Sequence, residues 1–243
     1  MGIQPWELRH AQPPVVAEPV SDEGSAIVGS PDIARMPLSE SDNLPSVAVT
    51  KPKLSAESMG WDELRNTVLH CQQCELHQTR TQAVFGVGNQ QAQWMVVGEA
   101  PGADEDRQGE PFVGRAGQLL NNMLYAIGLK RDQVYIANVL KCRPPNNRDP
   151  KPEEVACCEA YLQRQVALIK PKILLAVGRI AAHNLLKTDT SLAKLRQRTF
   201  HYGPTETPLI VTYHPAYLLR SPREKRKAWQ DLQYAVKVFK QQT

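Results

Sequence analysis

Four short runs of aliphatic and β-branched residues alternate with amphipathic stretches, and this alternation limits the folds open to the chain. The runs, each typical of a buried strand, are WMVVGEA (94–100), VYIANVL (134–140), ILLAVG (173–178) and PLIVTYH (208–214). Helical apolar spacing marks the segments 59–70, 114–129, 152–170, 178–186 and 221–242. Strands alternating with helices predict an α/β fold, a parallel sheet sandwiched between helices.

The first 56 residues have a different texture. They hold eight of the 19 prolines, seven Asp/Glu against four Lys/Arg, and Trp6 as their single aromatic residue. Pro, Ser and acidic residues interrupt every apolar run, so no face long enough to pack emerges. We therefore predict a disordered tail over 1–56 and a folded domain over 59–242. The tail could tether a partner protein, with Trp6 to Leu8 as a short anchor.

Charge and hydropathy narrow the class of protein. Beyond residue 56 the chain carries 25 Lys/Arg against 18 Asp/Glu, a balance that permits a polyanionic partner. No run approaches the roughly 18 apolar residues of a membrane span. The N-terminal sequence MGIQPWELRH also lacks the apolar core of a signal peptide. We expect a cytoplasmic protein without a membrane segment.

The five cysteines suggest a metal site. An odd number argues against a disulfide framework, whereas four thiolates from Cys71, Cys74, Cys142 and one of Cys157 and Cys158 can hold zinc or an iron–sulfur cluster. The second pair is spread over about 15 residues, which favours a cluster over a zinc ribbon. Adjacent helical positions point about 100° apart, so only one of the last two faces the metal. The alternative is a redox CxxC pair with three buried cysteines.

The loop GEAPGADEDRQGEPFVG (98–114) follows the first predicted strand. Gly98 and Gly102 permit tight turns there. Four carboxylates lie near the strand end, those of Glu99, Asp104, Glu105 and Asp106, and one of them could orient or deprotonate a water. For Asp104 and Asp106 we prefer the interpretation of a solvated acidic loop. Phosphate-binding glycine motifs are absent from the sequence.

Three further side chains near strand ends could bind a base. Phe112 could stack on a planar ligand, although a lone Phe is more often core. The amide of Asn138 offers a donor and an acceptor, which suits the edge of a pyrimidine. His214 ends the last strand, and the apolar residues after it stand beside a basic run. An apolar wedge entering a duplex while cations bind phosphate would explain that arrangement, and a solvated helix face is the alternative.

Together, GEAPGADEDRQGEPFVG, NVLKCRPPNNRDPKPEE and TYHPAYLLR closely resemble the family 4 uracil-DNA glycosylases, the bacterial and archaeal iron–sulfur branch. The resemblance covers roughly residues 59–242. It implies hydrolysis of the N-glycosidic bond of uracil in DNA, leaving an abasic site. It also implies a three-layer α/β/α sandwich around a four-stranded, mainly parallel sheet.

The resemblance implies roles for the residues of the three motifs. Those for the base are stacking by Phe112, edge recognition by Asn138, a hydrogen bond from His214 to uracil O2, and backbone contacts from Gly98, Ala100 and Gly102. Those for DNA are a wedge at Leu218 with Tyr217 and Leu219 beside it, and a backbone contact from Arg220. A structural 4Fe–4S cluster would be bound by Cys71, Cys74, Cys142 and Cys158.

Two departures from better-known uracil glycosylases concern the water and the base. Ala100 stands where those enzymes have a water-orienting Asp, so Glu99 or Glu105 must assist, or the reaction proceeds with little help from a base. Gly102 replaces a Tyr that excludes the thymine methyl, so selectivity would rest on Phe112 and its neighbours.

Two other function classes remain. One is a protein that traps uracil-DNA covalently through an inserted basic loop, but the chain runs from Gly114 directly into Arg115 without such an insertion. The other is a non-catalytic iron–sulfur or zinc DNA-binding module. For the glycosylase we expect a monomer, nucleoid-associated, with uracil-containing DNA as partner and a repair or replication protein as the tail's partner.

Overall fold

The structure is a computed structural model that describes residues 56–242. Its centre is a six-stranded sheet with the spatial order β1-β3-β2-β4-β6-β5. In chain order the strands are β1 (Val87–Gly88), β2 (Trp94–Gly98), β3 (Tyr135–Asn138), β4 (Ile173–Val177), β5 (Phe200–Tyr202) and β6 (Thr207–Thr212). The helices are α1 (Trp61–Leu69), α2 (Ala103–Gln108), α3 (Arg115–Ala126), α4 (Pro152–Ile169), α5 (Arg179–Leu186), α6 (Leu192–Leu195), α7 (Pro215–Arg220) and α8 (Lys225–Lys240).

The four predicted strands form the parallel centre of the sheet. Strand β2 pairs in parallel with β3 and β4, and β4 pairs in parallel with β6. The α/β prediction is therefore confirmed. The sheet has two further strands, because β1 and β5 pair antiparallel with β3 and β6 at its two edges. With two and three residues, these strands are too short to give a period-two pattern.

Helices cover both faces of the sheet, which gives the expected three layers. Every residue of β2, β3, β4 and β6 is buried, as a parallel sheet covered on both faces requires. Alternate side chains of each strand enter two separate cores. Helices α4 and α5 contribute Leu162 and Ala181 to one core, whereas α3 and α8 contribute Leu124 and Leu232 to the other.

The last predicted helix is divided into two elements. A 3₁₀ turn, Pro222–Glu224, precedes α8, so the Ser-Pro start signal belongs to the turn. No helix among residues 56–242 is long and apolar enough to cross a membrane.

A smaller core joins α1 to α4. Leu64 and Val68 of α1 pack with Phe85 and with Tyr161 of α4. Ala56, assigned above to the tail, is buried in the same cluster, so the folded domain already includes it. The rest of the predicted tail, including its proposed anchor at Trp6 to Leu8, lies outside the described residues.

The sheet brings the predicted functional residues to one edge. The carboxyl ends of parallel strands meet there, and ligands of open α/β sheets bind beyond them. Gly98 at the end of β2 is in register with Asn138 at the end of β3. On the other side of β2, Gly178 follows β4 and His214 follows β6. Residues far apart in sequence thus border one site.

Candidate active site

A cavity of about 430 Å³ opens at this edge of the sheet. Residues singled out from the sequence make up much of its lining, namely Glu99, Ala100, Gly102, Glu105, Phe112, Asn138, His214 and Arg220. The three motifs, which are separated by up to about 115 residues, therefore form one site.

Asn138 presents an unmet hydrogen-bond acceptor at the cavity. Its side chain is 2% exposed, and its Oδ1 has no partner among the described residues. Buried polar atoms are normally hydrogen-bonded, so an orphan acceptor beside a cavity points to a ligand. Gly98 makes room for this amide, because a Cβ there would lie 2.4 Å from Asn138 Oδ1 and 2.6 Å from the Phe112 ring.

Phe112 stands beside His214 in the cavity wall, with its ring centroid 5.6 Å from the imidazole centroid. Its backbone has a φ of 55°, which is uncommon for a non-glycine residue and typical of functional sites. Two features fix this conformation. Arg131 donates to the carbonyl oxygens of Pro111 and Phe112 at 2.6 and 3.2 Å. Gly117 allows close approach, since a Cβ there would lie 1.8 Å from the Phe112 oxygen.

His214 is neutral, and its tautomer is fixed. Its Nδ1 accepts a hydrogen bond from the Ala216 N–H at 3.1 Å, which places the ring proton on Nε2. Burial, with a smaller contribution from the charge of Arg220, lowers the pKa of His214 to about 4. At neutral pH the imidazole can therefore donate one hydrogen bond through Nε2.

Glu99 has a pKa suited to proton transfer near neutral pH. Burial, reinforced by the negative charge of Asp149, raises the pKa of Glu99 to about 7, and Arg179 opposes this shift. Asp149 lines the same cavity and forms an ion pair with Arg179 at 2.7 Å. The sequence analysis missed both residues. For Asp149 the sequence did hold a signal, because the RPPNNRDP loop that contains it comes after a strand end and the third cysteine.

Glu105 holds the loop together. Its carboxylate accepts hydrogen bonds from the N–H groups of Gly102, Val113 and Gly114 at 3.1, 2.9 and 3.2 Å. These contacts join the start of α2 to the segment that carries Phe112. The carboxylate of Glu105 is thus engaged by the backbone.

The two remaining carboxylates of the loop differ from each other. Asp104 is partly exposed, with 46% of its side chain accessible, and pairs with Arg107, as a solvated loop predicts. For Asp106 that prediction was wrong. Asp106 is buried, and both of its oxygens accept from the Thr81 N–H, at 2.9 and 3.1 Å. The spacing on α2 explains the difference, since residues two positions apart on a helix point to nearly opposite sides.

Helix α7 does not expose the residue expected to act as a wedge. Leu218 is 1% exposed and packs in the core shared by α3 and α8, which contradicts the predicted exposure. Tyr217, one position earlier, is 37% exposed and stacks on Tyr213 with ring centroids 5.2 Å apart. Leu219 is partly buried, and Arg220 is exposed at the cavity.

The cysteines come together beside α4, the helix that carries Cys157 and Cys158. None forms a disulfide. Burial, reinforced by neighbouring thiols, raises the pKa of Cys74 to about 11, and the thiols that contribute are those of Cys142, Cys157 and Cys71. Cys158 is buried, and it belongs to the same group because Cys142 and Cys74 also contribute to its raised pKa. Cys157 also acts on Cys74, but its own thiol donates to the Gln73 oxygen at 3.5 Å.

Two donors already contact these sulfurs. Arg80 Nη1 lies 2.8 Å from Cys142 Sγ, and the Tyr161 hydroxyl lies 3.2 Å from Cys71 Sγ. Within residues 56–242, no three Cys, His, Asp or Glu side chains stand in a ready metal-binding arrangement. The donor set itself, four thiols with cationic and hydroxyl donors beside them, fits a thiolate-ligated group.

Comparison with known proteins agrees with this geometry. Residues 85–233 match the Uracil DNA glycosylase superfamily. A type-4 uracil-DNA glycosylase of Archaeoglobus fulgidus is 47% identical over 169 residues, which is 67% of this chain and 84% of the relative. One from Thermotoga maritima is 41% identical over 178 residues, 72% of this chain and 92% of the relative. A type-5 uracil-DNA glycosylase of Thermus thermophilus is 33% identical over 149 residues, with coverage of 54% and 68%. The chain therefore belongs to the uracil DNA glycosylase superfamily and, within it, to the type-4 uracil-DNA glycosylases.

Proposed function

We propose that this protein removes uracil from DNA by hydrolysing its N-glycosidic bond and leaves an abasic site for base excision repair. The observation that carries the proposal is the orphan Oδ1 of Asn138 in a cavity it shares with Phe112 and a neutral His214. An amide, an aromatic ring and an imidazole N–H are the groups that a single unpaired pyrimidine requires.

In the proposed mechanism the target base leaves the duplex before reaction, which costs a few kcal/mol of unstacking and unpairing. The flipped uracil stacks on Phe112, and the Asn138 amide hydrogen-bonds to its edge. Backbone groups of Gly98, Ala100 and Gly102 border the base. Since Asn138 can both donate and accept, it satisfies its own unpaired oxygen and reads the base with the same contact.

The leaving group is the uracil anion. As the glycosidic bond breaks, electron density moves onto uracil O2, and His214 donates its Nε2 proton in a hydrogen bond to that oxygen. A preorganised donor of this kind is worth about 3–4 kcal/mol in the transition state. The proton stays on the imidazole, because its loss would leave an imidazolate, which is a much stronger base than the uracil anion, and the Ala216 N–H holds the tautomer through Nδ1.

The water attacks the sugar carbon left electron-poor by base departure. Glu99 orients this water and accepts its proton as the new C–O bond forms. We assign Glu105 a positioning role, since its carboxylate oxygens accept three backbone N–H groups. A pKa near 7 leaves a substantial part of Glu99 ionised under neutral conditions.

DNA binding involves the surface of α7. Arg220 would contact a phosphate beside the cavity. Because Leu218 is buried, we assign the wedge to the exposed Tyr217, with Leu219 beside it and Leu218 as the anchor of the helix. The basic side chains after α7 that would extend the phosphate contacts are Arg223, Lys225, Arg226 and Lys227.

Cys71, Cys74, Cys142 and Cys158 would hold a 4Fe–4S cluster. When bound, such a cluster supplies a structural cross-link between the CxxC segment, the segment after β3 and α4. We assign no step of the reaction to it. The tail's protein partner, the monomeric state and the cytoplasmic, nucleoid-associated location stay predictions.

Incubation with a labelled oligonucleotide containing one uracil, followed by alkali, tests the function. We expect strand cleavage at uracil and none at thymine in a matched oligonucleotide, with hypoxanthine as a second control. Binding without cleavage, by protein that retains its iron, would favour a DNA-binding module. A heat-stable protein–DNA adduct would favour covalent trapping. Either result would contradict the proposal.

A further inference from the structure

Lys141 is a fully enclosed lysine directly behind the base-recognition strand. It is 1% exposed, and its Nζ donates to the backbone oxygen of Asn138 at 2.9 Å and to Oε1 of Gln165 at 2.7 Å. Lysine is almost never fully buried without partners, since its ammonium group loses its hydration. The two acceptors therefore define where this side chain must point.

Gln165 provides a fixed anchor for that ammonium group. It lies in α4 with no exposed surface, and its Nε2 donates to the Phe85 oxygen at 2.9 Å and to the Tyr135 hydroxyl at 3.3 Å. These two bonds orient the side-chain amide and direct Oε1 towards Lys141. A buried chain of hydrogen bonds thus runs from α4 to the Asn138 carbonyl.

Asn138 needs such support because its Oδ1 has no partner of its own among the described residues. It is the last residue of β3, and the chain beyond it stays bonded to the segment after β2, because the N–H groups of Val139 and Leu140 donate to the Gly98 and Glu99 oxygens at 2.9 and 3.0 Å. The direction of its amide is therefore set mainly by its backbone and by the adjoining Gly98 and Phe112. The Lys141 contact acts on that backbone.

We infer that Lys141 is a positioning residue for base recognition, which holds the backbone of Asn138 against Gln165 and so aims the Asn138 amide at the flipped base. The inference rests on the proposed function. Replacing Lys141 leaves the Asn138 carbonyl and Gln165 Oε1 without their donor, so some loss of stability is expected whatever the role of Lys141, and only a loss specific to the base marks a positioning role. The position of the base-reading amide is what such a replacement would change.

The test uses K141M in the iron-loaded protein and three measurements: inhibition by free uracil, the single-turnover rate of uracil release, and binding to abasic-site DNA. Free uracil reports on the base pocket, whereas abasic DNA lacks the base and reports on the remaining contacts. We expect K141M to raise the uracil inhibition constant and lower the rate, each by roughly tenfold, while abasic-DNA affinity stays within about twofold.

Y135F is the matched control, because the shorter bond from Gln165 to the Phe85 oxygen still orients the Gln165 amide and both Lys141 contacts stay in place. It should leave all three quantities near wild type. Wild-type uracil inhibition in K141M, or equal losses in uracil and abasic-DNA binding, would overturn the inference. Should K141M fail to fold, Q165M decides by the same criterion. A wild-type protein that releases no uracil would instead defeat the proposed function itself.

Discussion

The backbone N–H of Ala216 donates a hydrogen bond to Nδ1 of His214 across 3.1 Å. Because His214 is the N-cap of α7, the start of this helix fixes the tautomer of the imidazole. The same contact leaves Nε2–H as the group that can donate to the base. The contact that caps α7 is therefore also the contact that makes His214 Nε2–H a hydrogen-bond donor.

His214 should remain neutral throughout the range in which the protein works. Its pKa lies near 4 in the folded state against an ordinary 6.5, because burial disfavours the imidazolium. The unfolded chain therefore binds the proton first, and this residue's contribution to stability is lost as pH falls from 6.5 to 4. An ¹⁵N-edited titration of the imidazole, assigned with H214Q, measures it. A pKa at or above 6.5 would contradict the account.

Glu99 should give the acid limb of the pH–rate profile. As a base it must be ionised, so the single-turnover rate should rise with pH through about 7, and E99Q should abolish this limb. D149N removes the negative neighbour while burial stays, and should move the limb to lower pH. D104N alters a partly exposed carboxylate of the same loop and is the control. An unmoved limb in D149N would show that Glu99 is not the titrating group.

Gly98 should tolerate no side chain. In G98A the new Cβ would meet Asn138 Oδ1 at 2.4 Å and the Phe112 ring at 2.6 Å, both closer than real Cβ contacts. We expect the rate of uracil excision to fall at least tenfold, because displacing the Asn138 amide would cost about one hydrogen bond to the base. G60A adds a Cβ with no atom within 4 Å and should behave as wild type. Equal activity of G98A and G60A would show that the position of the Asn138 amide does not matter for base recognition.

Substitutions of Leu218 and Tyr217 should have different effects, the first on protein stability and the second on excision from duplex DNA. L218A opens a cavity in the core of α3 and α8 and should lower the free energy of unfolding by about 2–5 kcal/mol. Y217A changes an exposed ring, so its melting temperature should change little. Its excision from duplex DNA should fall more than excision from single strands, because only the duplex needs a wedge. The reverse pattern in the two variants would restore Leu218 as the wedge.

Adjacent cysteines give a matched test of the metal ligands. C158S should lose iron and the visible absorbance of the cluster, because Cys158 is buried and interacts with Cys142 and Cys74. C157S should keep both, since the Cys157 sulfur lies against the Gln73 oxygen. Iron content and absorbance of the purified variants decide. Iron lost from C157S but retained by C158S would reverse the assignment.

The centre of the fold could be predicted from the sequence because its strands are buried on both faces and read as continuous apolar runs. Strands β1 and β5 could not, since two and three residues at a sheet edge carry no period. The position of the motifs after the predicted strands likewise predicted that Asn138, Phe112 and His214 lie at the carboxyl edge of the sheet. Asn138 and His214 lie at or just after strand ends, whereas Phe112 reaches the same edge from the segment between α2 and α3.

The sequence could not show which face of a short helix meets the core, nor which distant residues form ion pairs. The burial of Leu218 and of Asp106 depends on which face of α7 and α2 meets the core, and a six-residue helix has too few turns to show it. The ion pair of Asp149 with Arg179 joins a loop to the start of α5 across 30 residues. No local pattern predicts such a contact.

The central claim is that Asn138 and His214 act together on a flipped uracil, and chromatographic measurement of free uracil tests it most directly. Wild-type protein should release one uracil per abasic site from a uracil-containing duplex. N138A and H214A should each lose about 10²–10³ in single-turnover rate while keeping their iron and their affinity for abasic DNA. Release at the wild-type rate by either folded variant would contradict the account.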